Sequence, residues 1–311
     1  MSARDLIKES NPEFYERYSK LEDTDEFWEF LIKPLKQSIR VNTLKAPLEV
    51  VVERLKEEFE LEPIPWVREG FFINVDNLAK VPEHGLGLVF GQEASSMIPP
   101  VVLNPRPGEL ILDMAAAPGS KTGQIAQYME NEGCIIANDP NRDRANVLIA
   151  NLNRMGVLIA RVTTRNGVHF SRFEGTFDRV LLDAPCSSVG MIRKSWRFLR
   201  EWREKAIIKY MNIQKQLILA GYRALKPGGT LVYSTCTIDP MENEEVIDYL
   251  LRRTDARLEP VKLPVRTSEP VLEWEGKKYS PELKRALRIH PSDNDTEAFF
   301  IAKITKPEGG E

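Results

Sequence analysis

This 311-residue sequence predicts an α/β fold, a mostly parallel sheet with helices on both faces, preceded by a small α+β module. Three observations carry that expectation. From Pro105 onward strand-like apolar runs alternate with helical ones, the order that a doubly covered parallel sheet requires. Before that point the runs are short and mixed, as in a separate unit. An apolar content of 42% is enough for one large or two modest hydrophobic cores.

Residues 1–98 read as the N-terminal module. Pro12–Lys33 has helical character, with the proline suited to a first turn. Ser38–Thr43 alternates like a short strand, and Pro47–Phe59 spaces Leu48, Val51, Val52 and Leu55 as a helix does. Gly70–Val75 reads as a second strand. Residues 99–311 read as the sheet domain. Its predicted strands are Leu110–Met114, Cys134–Ala137, Leu158–Val162, Arg179–Leu182, Thr230–Tyr233 and Ala298–Ile304. Its predicted helices are Lys121–Met129, Arg142–Met155, Glu204–Leu225 and Met241–Arg252. Asp239, Pro240 and Glu242 read as N-cap, first-turn proline and capping-box acid of the last helix, just after Cys236.

The first sheet strand runs into a loop of small residues and then a helix. Ala115, Ala116, Ala117, Pro118, Gly119, Ser120 and Lys121 form that loop and the helix start. Small side chains let a ligand approach the backbone, and free amides at a helix N-terminus favour a carboxylate or phosphate. The dinucleotide pattern G-x-G-x-x-G is absent, and Ser120 interrupts the Gly-Lys-Ser/Thr of a phosphate loop. About twenty residues on, the second strand leads into Asp139, placed as are the acids that bind ribose hydroxyls. An adenosine ligand with an amino-acid tail fits these features.

Cys186 follows the fourth strand in "DAPCSSVG", and Cys236 follows the fifth in "STCTIDPMENE". Catalytic groups of open α/β sheets sit at such C-terminal strand ends, so both thiols can face one pocket. Cys134 begins a strand and reads as a small apolar filler. A thiol beside a methyl donor suits one reaction well. Addition of a thiolate to carbon 6 of cytosine makes carbon 5 nucleophilic, and loss of the carbon-5 proton later expels the thiol. An acid near N3 of the base stabilises the charge that develops there, and Asp183 is the candidate. A free thiol is only a few per cent ionised at neutral pH, so Lys121 or a helix N-terminus is expected to lower its pKa.

These motifs resemble the RNA cytosine-5 methyltransferases of the Nop/Sun type over about Ser38 to Thr305. "AAAPGSK" resembles the cofactor loop, and the two cysteine segments resemble the family's two cysteine motifs. "SIRVNTL", with Arg40 and Asn42, resembles an N-terminal element, and "FGQEASSMIPPVVLNPRPGELILD" the lead-in to the first strand. The resemblance implies a Rossmann-like class I sheet that uses S-adenosyl-L-methionine. It implies Cys236 as nucleophile and Cys186 as the residue assisting product release. Strand-end placement alone leaves open which thiol attacks, since DNA cytosine-5 enzymes use the Pro-Cys cysteine. It also implies that Ala115–Lys121, Asp139, Arg144, Asn166 and Asp183 meet the cofactor or the target base. Three segments depart from the family: Gly119-Ser120-Lys121 stands for Gly-Gly-Lys, Asn166 for an aspartate, and Glu297-Ala298-Phe299-Phe300 for Asp-Gly-Phe-Phe.

The net charge of −3 means that RNA contact must rest on local patches. Met191–Lys205 interleaves six basic residues with Trp196, Phe198 and Trp202. It reads either as a basic amphipathic helix or as an RNA contact that pairs with phosphates and stacks on bases. Transfer RNA is the preferred substrate and ribosomal RNA the alternative; a non-catalytic RNA-binding assembly factor of the same fold is a further one. The 3 cysteines lack any CxxC cluster, so no structural metal is expected. The sparse thiols, the polar Met1–Tyr18 segment and the lack of a long apolar run lead to an expectation of a cytoplasmic protein with no membrane partner.

Overall fold

The computed structural model describes residues 1–308. Three helices open the chain: α1 (Ala3–Ser10), α2 (Pro12–Tyr18) and α3 (Asp25–Ile32). The single helix expected over Pro12–Lys33 is therefore two. Thr24 accepts from the Phe27 amide and starts a new helix, while a turn at Leu21 and Glu22 ends the old one on the Tyr18 carbonyl. Next come β1 (Ser38–Val41), α4 (Leu48–Lys56), β2 (Leu61–Pro63), β3 (Gly70–Ile73), α5 (Pro82–Gly85) and β4 (Val89–Gly91). The four strands form an antiparallel sheet in the order β2-β3-β1-β4. All four residues of β1 are buried, without the exposed alternate positions that its pattern suggested. One face of the sheet packs on Val51 and Leu55 of α4, and Arg40 reaches from β1 into the catalytic part.

Residues beyond α6 (Ile98–Leu103) build the large sheet. Its parallel strands are β5 (Leu110–Asp113), β6 (Cys134–Asn138), β7 (Ala160–Thr163), β8 (Phe177–Asp183) and β9 (Leu225–Thr235). Helices α7 (Ser120–Tyr128), α8 (Arg142–Met155) and α10 (Glu204–Ala224) connect or cover them, with a short α9 (Arg197–Glu201) between. After α11 (Glu244–Leu251) come β10 (Arg257–Glu259), the hairpin β11 (Glu273–Trp274) and β12 (Lys277–Lys278), β13 (Leu287–Ile289), α12 (Pro291–Asn294) and β14 (Phe299–Thr305). The strand order is β10-β14-β9-β8-β5-β6-β7, with β13 also paired to β14. Successive connections run one way from β5 to β7 and the other way through β8 and β9. The reversal between β5 and β8 opens a crevice at their C-terminal ends, where ligands of such sheets bind.

Helical periodicity explains how α10 is held. Ile207, Met211, Ile218 and Tyr222 recur on one face and are buried, the last three against the sheet and Ile207 in the cluster around the N-terminal helices. Burying side chains of this size contributes about 1.5–3 kcal/mol each before conformational entropy is set against it. The basic segment Met191–Lys205 is not one amphipathic helix. A 3-10 turn over Val189–Arg193, then α9, then the start of α10 divide it. Arg193 is buried on the carbonyls of Lys33, Pro34 and Thr296 and on Asp295, and Trp202 is buried too. Of the six basic residues of the expected RNA-contacting stripe Arg193 is thus internal, whereas Lys194, Arg197, Arg200, Arg203 and Lys205 are exposed. Among the described residues no helix is long and apolar enough to cross a membrane.

Candidate active site

Four strand ends meet at the crevice. After β5 the chain turns through Ala115–Gly119 and enters α7. Gly119 has φ 107°, a value that L side chains rarely adopt, and a Cβ there would stand 2.9 Å from Leu148. Arg40 of β1 is fully buried and donates to the Ser120 carbonyl at 3.3 Å, to Gln92 at 2.9 Å and to Gln127. Without a carboxylate against it, burial pulls its pKa down to about 10. The N-terminal module thereby fixes the start of α7. Asn42 does the same for the end of α8, donating to the carbonyls of Gly87 and Met155.

Asp139, just past β6, is almost fully buried; it accepts from the Asn141 amide at 3.0 Å and faces Arg144 at 3.3 Å. Arg144 also donates to the Ala117 carbonyl at 3.0 Å, so it ties this acid to the small-residue loop. Asn166 is exposed beyond β7, and its side-chain oxygen accepts from the Val168 amide, capping a 3-10 turn. At the end of β5, Asp113 accepts from Thr122 at 2.7 Å, but its Oδ1 is buried without a partner. Burial pushes its pKa up to about 7. An unpaired buried acceptor beside a small-residue loop suits a ligand bearing a donor such as an ammonium. The residues present fit a nucleoside with an amino-acid tail.

Asp183 ends β8. Its Oδ2 accepts from Lys121 Nζ at 2.8 Å, and its Oδ1 accepts from Ser234 Oγ at 2.7 Å. Lys121 also donates to Ser96 Oγ at 2.7 Å and lies 5.5 Å from the Phe299 ring centroid. The Lys121 ammonium, one of the two features expected to lower a thiol pKa, is held by a carboxylate and a hydroxyl. Cys186 and Cys236 do converge, with sulfurs 3.2 Å apart, and Ser188 Oγ stands 3.9 and 3.8 Å from them. Cys186 is buried, whereas Cys236 is half-buried. The neighbouring Cys236 and burial raise the Cys186 pKa well above the usual thiol value. Cys186 therefore keeps its proton and can donate to the more accessible sulfur.

The expected capping box after Cys236 is not formed. The helix starts later, at Glu244, and Asp239 and Glu242 turn to other work. Glu242 Oε2 accepts from the Ser187 amide at 2.9 Å and from Gln214 at 2.9 Å, bracing the Pro-Cys loop. Burial, then Asp239, pushes its pKa up to about 8. Asp239 is fully buried and accepts from Arg17 Nε at 2.6 Å and from Tyr18 Oη at 3.0 Å. Sequence reading had missed Ser96, Ser234 and Arg17. The two serines lie inside quoted motifs, next to residues that were singled out. Arg17 carries no local signal, because its partner lies 222 positions away. Cys134, taken as buried filler, is partly exposed at the start of β6.

Comparison with known proteins agrees with this geometry. Residues 100–305 match the family model described as 16S rRNA methyltransferase RsmB/F. The chain belongs to the RsmB/F methyltransferase family. Residues 11–94 match the N-terminal domain of 16S rRNA methyltransferase RsmF. The chain is 64% identical to the tRNA (cytosine(49)-C(5))-methyltransferase of Pyrococcus abyssi, over 99% of this chain and all of that protein. It is 41% identical to ribosomal RNA small subunit methyltransferase F of Vibrio campbellii, over 88% of this chain but only 58% of that longer protein. A crystal structure of a methyltransferase homolog from Pyrococcus horikoshii superposes with a TM-score of 0.87 at 38% identity, covering 98% of this chain and 99% of that one. RsmB/F enzymes are S-adenosylmethionine-dependent methyltransferases, and the Rossmann-like class I sheet expected from the sequence is the one observed.

Proposed function

We propose that this RsmB/F enzyme methylates carbon 5 of a cytosine in transfer RNA. The observation that carries the chemistry is the pair of thiols 3.2 Å apart at the ends of β8 and β9, beside the Lys121–Asp183 ion pair. Full-length similarity to a transfer-RNA enzyme supports the substrate. The ribosomal relative matches over little more than half its length, so ribosomal RNA is the second reading.

Ala115–Ser120, Asp113, Asp139 and Arg144 hold the cofactor in this reading. S-adenosylmethionine supplies an electrophilic methyl group there. Cys236 Sγ, its proton passed to solvent, adds to carbon 6 of the target base, which makes carbon 5 nucleophilic toward the methyl group that the bound cofactor would supply. Lys121 and Asp183 stabilise the charge gathering toward N3, acting as a preorganised pair rather than as reorienting water. On release, carbon 5 loses its proton to solvent, the freed electron pair expels Cys236 Sγ from carbon 6, and Cys186 donates a hydrogen bond to the departing sulfur, which regains its proton from solvent. The carbon–sulfur bond breaks and both thiols return to their starting state. An unpaired cytosine is the easier target, since a stacked base must first be extruded.

The test is mass spectrometry of nucleosides from transfer RNA incubated with protein and cofactor, with Cys236→Ala alongside. New 5-methylcytidine with wild type alone is expected. Methylation confined to ribosomal RNA would move the substrate, and activity surviving in Cys236→Ala would remove the nucleophile assignment.

A further inference from the structure

A cavity of about 480 Å³ lies at the seam between the N-terminal sheet and the catalytic part, lined among others by Lys36, Gln37, Asn77, His84, Glu93 and Lys194. From this cavity we infer a subsite for an unpaired nucleobase of the RNA, next in the chain to the target cytosine. The inference rests on the methyltransferase reading above.

The cavity adjoins the catalytic cluster through a continuous chain of hydrogen bonds. Glu93 Oε2 accepts from the Ser96 amide at 3.1 Å, and its Oε1 accepts from the Glu297 amide at 3.1 Å. Ser96 Oγ in turn accepts from Lys121, which is bonded to Asp183. On the other wall Lys194 pairs with Glu297. Glu93 in the cavity wall is thus separated from Asp183 by two hydrogen-bonded residues, Ser96 and Lys121.

The lining suits a base rather than a bare phosphate. His84 is half-buried and Gln37 exposed, and the hydrogen bonds recorded at both residues involve their backbone atoms. Among the described residues no hydrogen bond thus involves their imidazole or amide groups, and both residues line the cavity. Burial, then Arg154, lowers the His84 pKa, so its ring is a neutral donor and acceptor. Neutral amides and imidazoles read base edges, and ring faces stack on unpaired bases. Lys36, half-exposed at the rim, stands 3.6 Å from the exposed Glu62 carboxylate, and a sugar-phosphate would compete with that carboxylate for it. Two other cavities are less suitable in charge. One of about 790 Å³ is lined by Glu69 and Glu130 with no Lys or Arg. One of about 590 Å³ sets Glu60, Glu62 and Asp76 against Lys36 alone.

Fluorescence anisotropy with a labelled transfer-RNA transcript reads binding without turnover, and nucleoside mass spectrometry reads methylation in parallel. His84→Ala combined with Gln37→Ala is expected to weaken RNA binding about tenfold, as loss of one base contact does. The loss should fall on KM for RNA rather than on kcat. Removing the base on each side of the target cytosine in turn should weaken wild type by a similar factor for one of the two RNAs. That same RNA should bind the double variant no worse than intact RNA does. Unchanged affinity in the double variant with methylation intact overturns the subsite alone, as do fully additive losses from protein and RNA changes. Base-dependent binding by a wild type that forms no 5-methylcytidine overturns the methyltransferase reading and leaves the subsite standing.

Discussion

At the scale of single residues, the two cysteines differ in surroundings more than in position. Cys186 is buried and braced from beneath by Glu242 through the Ser187 amide, while Cys236 is the more open sulfur. That asymmetry supports opposite roles. Replacing Cys236 with Ala should lower turnover at least about a thousandfold, since the covalent route is lost. Replacing Cys186 with Ala should lower it less and leave a protein–RNA adduct that survives denaturing gel electrophoresis. Adduct with Cys236→Ala and none with Cys186→Ala would invert the assignment. The motifs made both thiols legible in the sequence. Strand-end placement also brought them to one pocket, but the bonding of Lys121 to Asp183 and Ser96 was not legible, because donor geometry is set by side chains from separate segments.

At the scale of elements, α2 works as a clamp. Arg17 binds Asp239, three residues past Cys236, and Asn11 at the helix start donates to the carbonyls of Leu199 and Trp202 behind the Pro-Cys loop. Phe14, Tyr18 and Trp202 pack edge to face around this joint. One short helix from the other end of the chain thereby holds the Cys236 loop and the α9 segment that follows the Pro-Cys loop. Breaking a buried ion pair from one side costs about 3–5 kcal/mol, because the remaining charge is left without a partner. Arg17→Met should show that loss in the denaturant midpoint, with Arg17→Lys losing less. Equal midpoints for Met and wild type would show that the pair adds nothing to stability. The helical pattern of Pro12–Lys33 was readable, but its break was not. The turn depends on the Thr24 cap and on aromatic packing against segments far along the chain.

At the scale of the whole molecule, three buried carboxyls make stability depend on pH. Burial raises Asp113 and Glu297 to about 7 and Glu242 to about 8. The folded chain keeps these protons, whereas the unfolded chain releases them near the ordinary carboxyl values of about 4. Their contribution is present in full at low pH and disappears as pH rises toward about 8. Asp178, Glu245 and Asp295 are shifted the other way by Lys226, by Lys215 and Lys277, and by Lys33 and Arg193, although burial opposes each shift. Their contribution is lost only on acidification below the usual carboxylate range. The melting temperature is therefore expected to fall between pH 5 and 9, and Glu242→Gln should flatten that fall. Equal slopes for variant and wild type by calorimetry would remove Glu242 from the explanation.

Local chemistry determined much of this protein from the sequence alone. Strand and helix periods repeat every few residues, so the order of elements and the sheet type could be read before any contact was known. The glycine-bearing loop and both cysteine motifs could be read for the same reason, since their spacing is local. Tertiary structure alone decided which of these groups meet. The four-stranded sheet that seats Arg40 against Ser120, the internal use of Arg193 from the basic segment, and the joint of Arg17 with Asp239 all join residues far apart in sequence. Such contacts depend on close packing in three dimensions and leave no period in the chain. The same holds for the seam beside Glu93, where Lys194 of the catalytic part joins a lining drawn from separate segments of the N-terminal module.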